Sequence, residues 1–336
     1  MERIDVGAVV WLQSLFGEQS WHVWNVITEL GTPPVYMVVI GFLFWQGRRS
    51  VAMTALIAVL ITGLLVEVLK VLLAIPRPYY AFEMVSAWRE SSGFGMPSAH
   101  AAGTMTLGLM IAVLIRRYWL TGIAMILIVL VGLSRMYFGV HSVAQVLCGW
   151  LLAVAVVYCV LRLRHRAVDW FAAVSPIGLL LTGVASLMLL TGFQQFVVQS
   201  IAENFTVPSL WIERFNQAVA FEDRLDGEQF KAKPLTLFHG ISLPAIGTIT
   251  GFWMLLAWLR QHHESLWADR PIKRYLLSVN TLTGLLIVVL LTNLLAATEN
   301  IPLLNFVVWS MVPLMVVQLV PYLSFRLARR LNLPIN

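Results

Sequence analysis

The stretch SRMYFGVHSVAQV (134–146) joins two long apolar runs of the chain and carries an arginine and a histidine at their junction. Two further polar stretches, KVLLAIPRP (70–78) and GMPSAH (95–100), lie at the ends of neighbouring apolar runs. Together the three stretches supply two arginines, one lysine and two histidines. Arginine and lysine side chains are the usual ligands of phosphate in proteins. The three stretches therefore indicate a site that binds and cleaves a phosphate group where a membrane meets water.

The composition predicts the class of protein that holds these stretches. Apolar residues make up 59% of the 336 residues, charged residues make up 12%, and the mean hydropathy is +0.80. Such values are typical of an all-α polytopic membrane protein. A helix needs roughly 20 mostly apolar residues to cross the hydrocarbon core, and we expect about nine such transmembrane helices. Their runs are 31–47, which is slightly short, 51–75, 97–115, 118–138, 142–161, 171–191, 239–259, 276–298 and 303–325.

The positions of arginine and lysine predict the orientation of these helices. Clusters of them follow the first, third, fifth, seventh and ninth runs, so all five clusters lie on one side. Because short cytoplasmic loops carry an excess of positive charge, this side is the cytoplasm and includes the C-terminus. The three polar stretches then face the extracytoplasmic side, in the periplasm, at the cell exterior or in the lumen of the endoplasmic reticulum. The net charge of +6 follows from this topology, and no nucleic-acid partner is needed to explain it.

The sequence shows no boundary of a soluble domain and no convincing repeat, so we expect residues 1–336 to form a single integral membrane domain. Its catalytic core would cover about 50–165, and additional C-terminal spans would cover about 171–330. The segment of about 192–238 is rich in charged residues and lies on the extracytoplasmic side of the predicted topology. It is either a cap of one or two short helices over that face or an inert solvated loop.

Lys70 and Arg77 lie at the extracytoplasmic end of the second run, where Pro76 and Pro78 stop the helix. Long cationic side chains near a helix end often extend to the interface and have no other role. These two lie on the side that the other cationic clusters avoid, which favours a functional reason for their position. Glu67 precedes Lys70 by three residues, and an unpaired carboxylate at that depth would be costly. We therefore expect an ion pair between them, which either neutralises both residues or aims Lys70.

Pro97 and Ser98 precede the third run and are ordinary residues for a helix start, so the position of Ser98 has a complete structural explanation. His100 has no such explanation. The first turn of a helix attracts anions because its N–H groups lack intrahelical partners, so this turn also suits phosphate. His141 and Gln145 open the fifth run and lie on one helix face. A single histidine at a membrane end is more often a packing residue, but two on the same side favour a site.

The order and spacing of these residues resemble the type 2 phosphatidic acid phosphatase (PAP2) superfamily. The matching patterns are Lys, six residues, Arg-Pro; then Pro-Ser-x-His; then Ser-Arg, five residues, His. Two positions depart from the family pattern: Ala99 replaces the usual glycine, and Gln145 replaces the usual aspartate. Glutamine there is similar to the glucose-6-phosphatase subgroup, as are the nine expected helices, the pair Gln13-Ser14 and the segment VPLMVVQLVPY (312–322).

This resemblance implies a PAP2-type helical core and a role for each matched residue. Four side chains would hold the phosphate oxygens: Lys70, Arg77, Ser98 and Arg135. His141 would be the nucleophile that forms a phosphohistidine, and His100 would be the acid that protonates the leaving oxygen. Gln145 would accept the second ring N–H of His141 and so fix its tautomer. No metal or cofactor is implied, because the cationic side chains would stabilise the transferring phosphoryl group.

Three functions fit these expectations. The first is hydrolysis of a phosphomonoester, a sugar phosphate as in glucose-6-phosphatase. The second is hydrolysis of a lipid phosphate or a polyprenyl diphosphate by the same mechanism. The third belongs to another class, a non-hydrolytic carrier or pseudoenzyme that binds a phosphorylated ligand with the same residues. The expected partners are therefore a phosphorylated small molecule or lipid and the surrounding membrane lipid.

Overall fold

In a computed structural model of the chain, residues 2–203, 205–238 and 243–261 are described, together with isolated residues between 283 and 327. Within these residues the chain is helical and forms no strand, which confirms the all-α class. A short 3₁₀ turn, Glu18–Ser20, precedes the second helix. The helices are α1 Glu2–Phe16, α2 Trp21–Glu29, α3 Pro33–Trp45, α4 Arg49–Leu73, α5 Pro78–Ala81, α6 Ala99–Ile115, α7 Tyr118–Tyr137, α8 Val143–Ala173, α9 Pro176–Ala202, α10 Ser209–Asp226 and α11 Leu243–Gln261.

Four helical segments in the described ranges are long and apolar enough to cross a membrane, so the chain is a multi-pass membrane protein. They are Arg49–Ala81, which includes α5, Tyr118–Tyr137, Val143–Ala173 and Pro176–Ala202. The number rises to five if the broken pair Glu18–Glu29 and Pro33–Trp45 counts as one span. The expectation of nine transmembrane helices is therefore not confirmed.

Two helices are shorter than the sequence predicts. α3 has 13 residues, and Gly47, with a φ of 78°, turns the chain just beyond it. α6 has 17 residues because it begins at Ala99, after the N-cap residue Ser98, and it ends at Ile115 as predicted. The seventh predicted run contains most of α11. The last two runs, 276–298 and 303–325, lie almost wholly outside the described residues.

The chain divides into two compact units. The first unit carries the three polar stretches and comprises Met1–Thr32, Ile61–Val157 and Phe193–Gly240. The second unit comprises Pro33–Leu60, Tyr158–Gly192 and Ile241–Asn336. Inside the second unit, Trp253 of α11 packs against Phe171 of α8, with ring centroids 5.8 Å apart. That residues 1–336 form one domain stays a prediction.

An aromatic cluster in the first unit fixes the end of α7. Tyr137, the last residue of α7, stacks on Trp24 with ring centroids 5.3 Å apart and contacts Trp88 at 4.9 Å. Phe138 packs edge-on against Trp21 at 6.0 Å. Aromatic pairs of this kind contribute about 0.5–1.5 kcal/mol each beyond the area that they bury. The cluster therefore holds in place the short loop that leads from α7 into α8.

Gln13 connects α1 to the same region. Its Nε2 donates to Tyr137 O at 2.9 Å and to Ser86 O at 3.0 Å, and its Oε1 accepts from Ser86 N at 2.9 Å. The nearby Gly139 has a φ of 71°, and a Cβ there would lie 2.6 Å from Ser86 O. Glycine is required at this position, because any side chain would be strained and would collide with backbone. Gln13 therefore has a structural role in supporting the loop after α7.

α10 packs on the segment that follows the first polar stretch. Arg214 donates from Nε to Tyr79 O at 3.1 Å and also donates to Val85 O. Trp211 stacks on Tyr80, with ring centroids 5.9 Å apart. The residues predicted to form a cap thus contain the end of α9, the helix α10 and an extended stretch. Their position over a membrane face stays a prediction.

Candidate active site

The break between α4 and α5 positions the two cations of the first polar stretch. Ala74, directly after α4, has a positive φ of 48°, and Pro76 follows two residues later. Arg77 is extended, with φ −74° and ψ 149°, and Pro78 begins α5. A residue before proline disfavours the helical conformation, so the sequence itself dictates this break. Lys70 consequently stays on the last turn of α4, whereas Arg77 leaves the helix.

Backbone carbonyls hold the Arg77 guanidinium, which is only 3% exposed. Nη2 donates to Ser92 O at 2.6 Å, Nε to Gly93 O at 3.1 Å, and Nη1 to Val140 O at 3.2 Å. Nη1 also lies 3.3 Å from Nε2 of His141. A buried charge is tolerated only when its donors are paired, and these three carbonyls meet that need. They also aim the guanidinium at the imidazole of His141.

His141 lies in the turn between α7 and α8 and is 2% exposed. Its Nδ1 lies 2.8 Å from Gly95 O and 3.2 Å from Gln145 Oε1. A carbonyl can only accept and a guanidinium can only donate, so the hydrogen-bond network assigns the proton to Nδ1 and the lone pair to Nε2. Gln145 faces the imidazole as the sequence predicts, but Gly95 supplies the nearer acceptor.

The surroundings of His141 keep its imidazole neutral. Burial is the main cause that holds the pKa of His141 well below its usual value of 6.5, and the charges of Arg77, Arg135, Lys70 and His100 act in the same direction. Both effects disfavour the protonated form. The Nε2 lone pair is therefore available at neutral pH. All four of these charged or titratable groups belong to the predicted site.

Gln145 connects all three polar stretches. Its Nε2 donates to Pro76 O at 2.8 Å, and its backbone O accepts from Ser98 N at 3.1 Å. Its Oε1 also accepts from Ser142 N at 3.3 Å, while Ser142 Oγ accepts from Gln145 N at 3.4 Å. These reciprocal contacts form a capping box at the start of α8. Gln145 thus has a structural role that its position opposite His141 did not suggest.

Ser98 is the N-cap residue of α6, but its side chain makes no capping hydrogen bond. Its Oγ is fully buried and has no hydrogen-bond partner among the described residues. The expectation that the helix start explains Ser98 completely is therefore wrong, because the hydroxyl does not perform the function of a cap. A buried hydroxyl without a partner is costly, so its position suits an oxygen atom of a ligand.

A close approach between α8 and the start of α6 sets the place of Ser98. A Cβ on Gly149 would lie 2.7 Å from Ser98 O and 3.3 Å from Ala102 N. Only glycine allows α8 to come this near, and the approach puts Gln145 O within hydrogen-bonding distance of Ser98 N. The second and third polar stretches are therefore joined through backbone atoms.

Arg135 lies on the last turn of α7 and is 3% exposed. Its Nη1 donates to Oγ1 of Thr28, a fully buried residue of α2, at 2.7 Å. In the described part of the chain, Nε of Arg135 finds no hydrogen-bond partner. Leaving a buried charged donor unpaired is expensive, so this N–H suits a phosphate oxygen. Phosphate binding by Arg135 stays a prediction.

Lys70 and His100 complete the set of predicted residues. Lys70 Nζ lies 2.8 Å from Glu67 Oε1, so the ion pair that the sequence predicts is present. The Lys70 side chain keeps 15% of its surface exposed. His100 lies in the first turn of α6 beside the turn that follows α2, because a Cβ on Gly31 would come within 3.3 Å of its ring. The end of α2 and the turn after it therefore approach Arg135 and His100.

Three contributors to the site were not predicted. Thr28 is a single threonine on a short helix, and it lies too far from Arg135 in the sequence for a local pattern to connect the two. Gly95 and Ser92 act through backbone carbonyls, which every residue has, so the sequence gives no signal for them. The capping box was not predicted either, but the sequence does contain a signal for it, because Ser-x-x-Gln at 142–145 is a recognisable helix-start pattern. Across the described ranges, His, Cys, Asp and Glu form no group of three that could hold a metal ion.

The fold and the site define an integral membrane protein whose described part is all-α, with a cationic, histidine-containing centre. Residues 51–169 match the model of the PAP2 superfamily. All seven residues that the sequence singles out lie inside this match: Lys70, Arg77, Ser98, His100, Arg135, His141 and Gln145. The region that matches this model therefore includes all three polar stretches.

Two individual proteins are similar to the chain. The lipid phosphate phosphatase delta of Arabidopsis thaliana is 22% identical over 171 residues, which are 46% of this chain and 41% of that protein. The chain thus spans less than half of the length of that relative. A crystal structure of a transmembrane PAP2 type phosphatidylglycerolphosphate phosphatase from Bacillus subtilis aligns with a TM-score of 0.42 and 23% identity, over 49% of this chain and 86% of that one.

Proposed function

We propose that the protein is a membrane-embedded phosphatase that transfers the phosphoryl group of a phosphomonoester to His141 and then to water. The observation that carries the proposal is the buried His141 imidazole, whose Nε2 lies 3.3 Å from Arg77 Nη1. Phosphoryl transfer depends on positioning and on cationic stabilisation of the equatorial oxygens. A fixed lone pair beside a guanidinium supplies both.

The reaction has two steps. In the first, Nε2 of His141 attacks phosphorus, the bond from phosphorus to the leaving oxygen breaks, and His100 gives that oxygen a proton. In the second, His100 takes a proton from a water molecule, the water oxygen attacks phosphorus, and the P–N bond breaks. Inorganic phosphate then leaves, and both histidines return to their starting protonation states. The donors for the nonbridging oxygens are Arg77 Nη1, Arg135 Nε, Ser98 Oγ and Lys70 Nζ.

Two observations favour different substrate classes. The Arabidopsis thaliana relative is named a lipid phosphate phosphatase, and on this basis we favour a lipid phosphate. Gln145 at the position of the usual aspartate resembles glucose-6-phosphatase, which makes a sugar phosphate the second candidate. Both classes present the same phosphate to the same residues. They differ only in the leaving group that His100 would protonate.

A substrate panel tests the proposal. Purified protein in detergent would be given phosphatidate, a polyprenyl diphosphate and glucose 6-phosphate, and the released phosphate would be measured with and without vanadate and EDTA. We expect release that vanadate inhibits and EDTA does not, with no release by His141→Ala. His100→Ala should be slowed by about 10² to 10⁴ and should accumulate an acid-labile phosphoenzyme. Tight binding of these compounds without phosphate release would instead indicate a non-hydrolytic carrier or pseudoenzyme.

We further propose that the site faces the extracytoplasmic side and that the C-terminus is cytoplasmic. The support is the distribution of arginine and lysine between the loops of the sequence. Single cysteines placed next to Glu90 and next to Arg117 separate the two orientations. An impermeant thiol reagent applied from outside should label the first cysteine and spare the second. Labelling of the second cysteine alone would show that the topology is inverted.

A further inference from the structure

Residues 205–238 lie outside the PAP2 match, yet they contact the loop 89–95, which borders the candidate site. Three polar contacts make this connection. Lys233 Nζ lies 2.6 Å from Glu90 Oε2, Glu90 N donates to Glu222 Oε2 at 2.8 Å, and Gly93 N donates to Thr236 O at 2.8 Å. The two contacts that involve a side chain of the 205–238 segment are thus both made by Glu90, and the contact between backbone atoms is made by Gly93.

Aromatic packing strengthens the same connection. Phe94, the residue after Gly93, is fully buried. Its ring meets Phe205 at 5.6 Å and Phe238 at 5.3 Å, both edge-on. Phe205 and Phe238 also contact each other at 5.6 Å. Three mutually packed rings leave the loop little freedom to shift along its length.

The other side of the loop holds the catalytic groups. Ser92 O and Gly93 O accept from Arg77, and Gly95 O accepts from Nδ1 of His141. The N–H of Gly93 therefore donates to the 205–238 segment, and its C=O accepts from Arg77. A displacement of the loop would move the acceptors of both the guanidinium and the imidazole.

We propose that residues 205–238 position the phosphate-binding arginine through the loop 89–95, with Lys233 as the positioning residue that holds this loop by its ion pair with Glu90. The inference rests on the proposed function, because it assigns the segment a role in phosphate binding. The Lys233 side chain is 48% exposed and that of Glu90 is 29% exposed, so the pair contributes little to overall stability. Its effect is to select one position of the loop.

A matched pair of variants tests this role. Lys233→Met keeps an unbranched side chain, one atom shorter, and removes its charge. Lys231→Met is the control, because Lys231 is exposed and forms no ion pair within the described residues. We expect Lys233→Met to weaken vanadate inhibition and raise KM by about two- to tenfold, the usual effect of losing one hydrogen bond, with kcat and the unfolding temperature nearly unchanged. The double variant Lys233→Glu with Glu90→Lys should recover most of the affinity. Wild-type affinity in Lys233→Met, or loss of the same size in Lys231→Met, would overturn the proposal.

Hydrogen exchange separates this proposal from the proposed function. The amide of Gly93 should exchange faster in Lys233→Met than in wild type or in Lys231→Met, and this measurement needs no turnover. If wild type releases no phosphate but the exchange changes as expected, the phosphatase proposal fails and the coupling of segment to loop stands. If wild type is active and the exchange rate of the loop is the same in all three proteins, the coupling is wrong.

Discussion

The surroundings of Arg77 and of Arg135 differ, although each arginine is 3% exposed and each belongs to a polar stretch that the sequence marks. Arg77 donates to three backbone carbonyls and approaches His141. Arg135 donates from Nη1 to the hydroxyl of Thr28, and its Nε has no partner among the described residues. Arg77 is thus fixed largely by the protein itself, whereas Arg135 retains a buried donor that no described residue accepts from.

Two arginines from similar motifs therefore differ in how much each contributes to the fold. A guanidinium held by carbonyls contributes to the fold as well as to the site, because removing it leaves buried acceptors unpaired. A guanidinium with an unpaired buried donor lowers stability in the absence of an anion and binds an anion strongly in its presence. We therefore expect changes at the two positions to separate stability from phosphate binding.

The largest effect is expected from the matched variants Arg77→Lys and Arg135→Lys. Lysine cannot reproduce the planar donors of arginine, so each variant should lose about 10² or more in the rate of phosphate release. Only Arg77→Lys should also destabilise the protein, by about 1–3 kcal/mol, because it leaves buried carbonyls without donors. Phosphate release and thermal unfolding in detergent measure the two effects. Equal unfolding temperatures for both variants would remove the distinction between the arginines.

A smaller effect is expected at Thr28, the residue that holds Arg135. Thr28→Val keeps the shape of the side chain but removes the acceptor of Arg135 Nη1. A hydrogen bond from a charged donor contributes about 1.5 kcal/mol or more, so phosphate release at low substrate concentration should fall about tenfold. Thr28→Ser, which keeps the hydroxyl, is the control and should retain most of the activity. A similar loss in both variants would show that packing, and not the hydrogen bond, matters at this position.

Gln145→Ala should have a modest effect on the rate. The nearer acceptor of His141 Nδ1 is Gly95 O, which this variant leaves in place. Loss of the capping box should lower stability by about 1 kcal/mol, and the rate should fall several-fold with little change in vanadate affinity. Gln145→Asp places a negative charge near His141 and should shift the pH profile towards higher pH. A rate and pH profile of Gln145→Ala identical to wild type would mean that the glutamine does not orient the imidazole.

The smallest expected effect is on the pH dependence of kcat/KM, whose acidic limb should lie lower than an ordinary histidine would place it. The pKa of His141 is held well below 6.5 by burial and neighbouring cations, so its neutral form persists below that pH. The acidic limb of kcat/KM should therefore lie below 6.5. The unfolded chain binds the proton first, so His141 lowers stability as the pH falls from about 6.5 towards its folded-state pKa. An acidic limb above 6.5 that His141 controls would contradict the assignment of a depressed pKa.

The membrane class and the residues of the three polar stretches can be read from the sequence. The break at Pro76 and Pro78 also follows from the sequence, because proline restricts the residue that precedes it. The nine-helix expectation went further than the described residues support, since hydropathy counts apolar residues and does not show where a helix ends.

The contacts of each predicted side chain depend on the tertiary structure. Arg135 donates to Thr28, which lies 107 positions away in the sequence, and His141 Nδ1 has its acceptor at Gly95 O, 46 positions away. The Ser98 hydroxyl makes no capping hydrogen bond at the start of α6. No local pattern records such contacts, because they depend on how distant helices pack and on backbone carbonyls that every residue shares. The candidate site residues can therefore be identified from the sequence, whereas the atoms that each of them contacts depend on the fold.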